Sequence, residues 1–139
     1  MIGFKVHKTD DGRVLPCEYF TADGLTPQLG MALKLSGGKL VKASGAEAPA
    51  FISMAERTAA CQAGEIIPVL RVGPDVIWET EAGAALTGKK PGDKVGIHTD
   101  AMTVSAAAGA AEIVSLEDSP SAGSRVTVRF GAAAAAAST

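Results

Sequence analysis

Rings are scarce in this chain of 139 residues: four Phe, one Tyr and one Trp make up 4% of it. A site that grips sugars or bases by stacking on several rings has little to build on. Excess positive charge is missing too. Thirteen Lys and Arg against 15 Asp and Glu leave a formal charge of -2 and a pI of about 5.6. That balance argues against a nucleic-acid binder working by phosphate neutralisation. No run approaches the ~18 apolar residues of a spanning helix, so no membrane partner is expected. The stretch from Met1 to Lys8 has no long apolar segment and does not resemble a secretory signal. The two cysteines, Cys17 and Cys61, form neither a CxxC pair nor a zinc set. Without export they are expected to stay reduced, as small half-buried hydrophobes.

What the chain does have is 47% hydrophobic residues, much of it Ala, together with 16 Gly and 7 Pro. This supports one domain with a thin core of Val, Ile and Leu and many turns. Short alternating runs separated by turn signals mark it as all-β. Residues 1–21 read as an N-terminal hairpin or arm. Phe4 and Val6 alternate with polar neighbours, Asp11-Gly12 supplies a tight turn, and Arg13 to Phe20 returns with Pro16 at an edge or bulge. Met31 to Leu35 and Lys39 to Ala43 form a second hairpin around Ser36-Gly37-Gly38. Ile66 to Val72 and Val76 to Thr80 are further strands, with Pro68 expected on an edge or at a bulge.

Residues 25–72 and 89–130 resemble each other. Pro27 to Leu33 lines up with Pro91 to Ile97, Leu40 with Val104, and Phe51 to Glu56 with Ile113 to Asp118. Ala63-Gly64 lines up with Ala122-Gly123. The comparison makes 105–111 and 55–61 loops or very short helices despite their Ala content. Two copies are too few for a solenoid and point to a small pseudo-duplicated β-barrel or sandwich in residues 1–131. Residues 132–139 are an Ala-rich, low-complexity tail, expected to be flexible or ordered by a partner.

Signs of chemistry are few. Ser36-Gly37-Gly38-Lys39 lacks the spacing of a phosphate loop. His98-Thr99-Asp100 sits at a turn without a nucleophile motif. Asp10 and Asp11 are turn residues, and Glu79 and Glu81 share a solvated strand face. No catalytic residue, metal set or cofactor site is expected. Trp78 reads as core or as an anchor between subunits. Phe4, Val6, Tyr19 and Phe20 lie outside the repeated unit and are candidate contacts with another chain.

The runs Phe4 to Gly12, Gly30-Met31-Ala32-Leu33, Gly38-Lys39-Leu40-Val41 and Ile66 to Val72 resemble the capsid decoration, or cement, proteins of tailed bacteriophages. The resemblance covers the chain apart from its Ala tail. It implies a β-tulip-like domain with no catalytic residues. It also implies homotrimers at three-fold and quasi-three-fold positions on the outer surface of the virion head. There the protein, made in the host cytoplasm, would bind the major capsid protein and bridge capsomers. Phe4, Val6, Tyr19 and Phe20 would then face the capsid, and Trp78 a subunit contact. The alternatives are a small β-barrel ligand- or glycan-binding module, or a structural subunit of another assembly.

Overall fold

A computed structural model describes residues 3–118 and 120–131. The chain is all-β, with ten strands and no helix among the described residues. The strands are β1 (Lys5–Thr9), β2 (Cys17–Thr21), β3 (Ala32–Ser36), β4 (Lys39–Lys42) and β5 (Phe51–Ser53). They continue with β6 (Ile66–Arg71), β7 (Val76–Glu81), β8 (Lys94–Val95), β9 (Ala111–Leu116) and β10 (Arg125–Phe130). They form two five-stranded antiparallel sheets, ordered β1-β7-β10-β9-β8 and β2-β6-β5-β3-β4. One contiguous core draws on both sheets: Leu33, Phe51, Ile52, Ile67 and Val69 from one, Trp78, Ile113, Val126, Val128 and Phe130 from the other.

The expected N-terminal hairpin is not formed. β1 pairs with β7 and β2 with β6, so residues 10–16 cross from one sheet to the other. The Asp11-Gly12 turn is present, since Gly12 N donates to Thr9 O at 3.2 Å. It redirects the chain rather than folding it back on itself, and the Arg13–Asp75 ion pair links the segment to the loop before β7. Pro68 also departs from expectation. It lies in β6, an inner strand between β2 and β5. β5 ends at Ser53, so the ring nitrogen points past the end of that ladder while Pro68 O still accepts Met54 N at 3.0 Å. One terminal rung is forfeited instead of a central one.

The two sheets are built alike. The order β2-β6-β5-β3 in one matches β7-β10-β9-β8 in the other. Equivalent rungs recur: Ala22 N donates to Glu65 O and Ala82 N to Ser124 O, both at 2.9 Å. Gly30 N donates to Ser53 O at 2.9 Å, and Gly92 N to Ile113 O at 2.8 Å. The equivalent halves therefore run from β2 to β6 and from β7 to β10, wider than 25–72 and 89–130. Leu33 matches Val95, not Ile97, and Ser53 matches Ile113, a two-residue correction to the alignment made on sequence. The loop 98–103 is two residues longer than the turn 36–39, which restores the match at Leu40 and Val104. A shift of two leaves every side chain on its original face, so hydrophobic patterning alone does not detect it.

Three backbone contacts tie the molecule together, one from the segment before β1 to the first half and two between the halves. Phe4 N donates to Gly30 O at 2.8 Å, Ala32 N to Ala101 O at 2.8 Å, and Gly45 exchanges two bonds with Ile97 at 2.8 and 2.9 Å. At the first, Gly3 and Gly30 touch backbone to backbone. A Cβ on Gly30 would stand 2.8 Å from Gly3 atoms, whereas one on Gly37 would meet nothing within 4 Å. Both glycines have positive φ, +86° and +61°, so alanine at either costs about 1–2 kcal/mol for the left-handed backbone. Gly30→Ala adds an overpacking cost of ~1–3 kcal/mol. In urea unfolding Gly30→Ala is expected to lose more than Gly37→Ala by that amount, and equal losses would remove the crossing as a constraint.

Candidate docking surface

The residues singled out on sequence separate into buried and exposed sets. Phe4 is 2% exposed and packs on Phe130, ring centroids 5.5 Å apart. Trp78 is fully buried at the centre of β7, and its Nε1 has no hydrogen-bond partner among the described residues. Phe20 is half-buried against Phe51 at 4.7 Å, with the Arg71 guanidinium 5.1 Å from the Phe51 centroid. Phe4 is therefore a packing residue with no surface to offer a capsid, and Phe20 gives part of its ring to packing on Phe51. Trp78 belongs to the core rather than to a subunit interface. Val6, at 39%, and Tyr19, at 62%, are exposed. They lie on β1 and β2, edge strands of different sheets, and do not form one patch.

Register shows what Tyr19 does belong to. It lies opposite Pro68, and Pro68 O accepts Met54 N on the next strand. Directly opposed residues share a face, so Tyr19, Pro68 and Met54 form one row across β2, β6 and the end of β5. Met54 is 41% exposed, and Ile66, on the same face one step along β6, is 54% exposed. The row carries no charge. Sequence reasoning missed Met54, Ile66 and Pro68, because their placement beside Tyr19 depends on β2 pairing with β6 instead of with β1.

The equivalent row in the other half is Glu79, Thr127 and Ser115. Here β1 lies outside β7 and places Lys5 opposite Glu79. Glu79 takes Arg125 in a two-point contact at 3.1 and 3.2 Å, with Lys5 Nζ at 3.8 Å and His7 Nδ1 at 3.6 Å. The Arg125 hydrogen bond is the main reason the Glu79 carboxyl is held below the ordinary glutamate value. Each base around Glu79 is engaged with it, so the cluster closes on itself as a structural network.

Asp100 and Asp23 are also committed to structure. Asp100 Oδ1 accepts Met102 N at 2.8 Å and Thr103 N at 3.1 Å, which caps the loop that carries His98. Asp23 accepts Gly64 N at 2.8 Å and Lys39 at 3.2 Å, and the Gly64 bond is the larger reason its carboxyl is lowered. A cleft of about 180 Å³ lies between residues 13–16 and the β6–β7 loop. Leu15, Pro16, Val72 and Val76 line it, between the Arg13–Asp75 and Arg71–Glu18 pairs. Among the described residues no three His, Cys, Asp or Glu side chains gather as a metal site. No helix of the described residues is long and apolar enough to cross a membrane. No protein-family model matches the chain, and no curated protein matches it in sequence.

The Glu79 network gives a pH signature. A lowered folded pKa stabilises above the ordinary glutamate value of 4.5 and loses that contribution as pH falls through the depressed value. Glu79→Gln is expected to lower the unfolding midpoint at pH 7. The gap to wild type should close as the buffer is taken well below pH 4.5. A gap that is constant across the titration would show that the network contributes nothing through charge.

Proposed function

We propose that this protein is a capsid decoration, or cement, protein of a tailed-phage head. It binds the outer surface of the shell as homotrimers at three-fold and quasi-three-fold positions, contacts the major capsid protein and bridges capsomers. The observation that carries the reading is the uncharged row of exposed Tyr19, Met54 and Ile66 about half-buried Pro68, running across β2, β6 and the end of β5. A shell is a lattice of identical sites, so a modest apolar contact repeated at each becomes strong by avidity. A cement protein also needs rigidity more than chemistry. The two sheets supply it, with backbone contacts binding one half to the other. Exposed Val6 adds a second contact point on the β1 edge.

Deleting residues 1–20 does not test this reading. It removes β1, most of β2 and the Phe4 ring from the core. Surface substitutions do test it. Tyr19→Ser, Met54→Ser and Ile66→Ser are each expected to move stability by no more than ~0.5 kcal/mol. Phe20→Ala is expected to cost about 3 kcal/mol. In co-sedimentation with expanded, undecorated heads, wild type should saturate at a copy number set by the three-fold sites. The triple serine variant should stay in the supernatant while still folded. Wild type that fails to sediment with any head preparation would overturn the reading. Undiminished binding of the triple variant would move the contact elsewhere on the surface.

A further inference from the structure

The cleft beside the start of β2 has three properties that bear on what it can hold. Its lining is apolar, with Leu15, Pro16, Val72 and Val76 around about 180 Å³. Its charges are already matched. Arg71 holds Glu18 at two points, 2.6 and 2.7 Å, and Arg13 pairs with Asp75. An incoming charge finds no free counter-charge there, so the fitting occupant is uncharged. Its wall also has backbone to offer. Val14 and Leu15 each carry a donor and an acceptor, yet no backbone hydrogen bond reaches either among the described residues. Apolar lining, matched charge and unpaired backbone together suit an uncharged polypeptide segment with small side chains.

Such a segment leaves β10 beside this cleft. Arg129 donates to Pro74 O at 2.6 Å and to the Asp10 carboxylate at 3.1 and 3.2 Å. Asp10 N donates in turn to Asp75 O at 2.9 Å. Gly73 and Asp75, on either side of Pro74, are part of the cleft wall. Arg129 also lies opposite Ile77 on β7, and the same antiparallel register continued two residues brings Gly131 level with Asp75. Residues 132–139 follow, outside the described residues. They are six Ala, Ser138 and Thr139, with no charge and no large side chain. Extended, eight residues span up to ~27 Å, far more than a cleft of this volume is wide.

We propose that residues 132–139 fold back into this cleft of their own chain, with Ala methyls on Leu15, Pro16, Val72 and Val76 and backbone groups paired with Val14 and Leu15. The tether selects this occupant. A segment attached at the cleft wall is present at a high effective concentration, so a contact too weak to hold a free peptide is enough. Its composition fits the same task, because small side chains let one backbone come close to another. The docked segment acts as a strap. Residues 10–16 carry the chain from one sheet to the other, and the segment ties that crossing to the β6–β7 loop on the far side of the cleft. The contact forms within the free protein, whatever the shell experiment shows.

The test is NMR on the full chain with labelled methyl groups, beside a chain ended at Gly131. The truncation leaves Phe130 and the core in place, and unchanged Trp78 and Val128 signals would show the fold intact. In the full chain, Ala methyls of 132–137 should give NOEs to the Leu15, Val72 and Val76 methyls. Truncation should shift those three and speed exchange of the Val14 and Leu15 amides by about tenfold or more. The full chain with Ala134→Asp and Ala136→Asp should behave like the truncated one, because the cleft has no counter-charge to give. Ala134→Ser with Ala136→Ser, small and uncharged, should behave like wild type. Identical cleft methyl shifts and amide exchange in the full and truncated chains overturn the proposal. So do Ala NOEs to Tyr19, Met54 or Ile66, which would put the segment on the uncharged row instead.

Discussion

The crossing of Gly3 over Gly30 is the constraint on which the architecture depends. A Cβ at Gly3 would sit 2.6 Å from Leu29 O, closer than side chains tolerate, so only glycine lets the strands meet there. The contact fixes where β1 begins. From that point β1 runs along β7, while the next segment crosses to the other sheet and becomes β2. A strand thus covers the outer edge of one half without covering its equivalent in the other. The Phe4 ring, one residue on, is carried against Phe130 and helps close the core of the half that β1 covers.

The small residues that make the composition look poor in core serve the same purpose elsewhere. Ala22, Ala32, Ala82, Ala101 and Ala111 are all buried. Gly109 lies so close to Gly96 that a Cβ on it would stand 2.3 Å from the Gly96 Cα. Where backbones approach this closely, backbone hydrogen bonds such as Gly96 N to Ala107 O at 2.7 Å replace side-chain volume. A thin set of large side chains then suffices, with Trp78, Phe130, Leu33 and Leu40 filling the wider gaps. Ala101 itself adopts φ 59°, a left-handed conformation that costs an L-residue energy. The Asp100 cap holds that turn, and the turn presents Ala101 O to Ala32 N of the other half.

Much of this was legible in the sequence. The strands at 32–36, 39–42, 66–71 and 76–81 follow from alternation and flanking turns. The duplication follows from recurring Pro, Gly and apolar positions. Partner choice was not legible. Phe4 to Phe20 carries every local mark of a hairpin, and only tertiary contacts separate β1 from β2. That one missed partner explains the misplaced site residues. As half of a hairpin, Phe4 and Phe20 look like spare hydrophobics on an arm. As members of two sheets they face the core and Phe51. Trp78, flanked by Val76 and Ile77, admitted a core and an interface reading, and its place opposite Val128 in the middle of a sheet decides for the core.

The divergence of the equivalent rows follows from the covering strand. Once β1 lay against β7, position 79 gained Lys5 and His7 as neighbours, and a carboxylate there could be satisfied within the chain. Position 19 gained no such neighbours. Its row instead holds Tyr, Pro and Met, side chains that gain from losing contact with water. Chance exposure of single hydrophobics is common and needs no cause. Exposure aligned over three strands, beside the sheet edge without lysine or bulge, has one. The half whose edge is covered from within carries a polar row, and the half whose edge is open carries an apolar one.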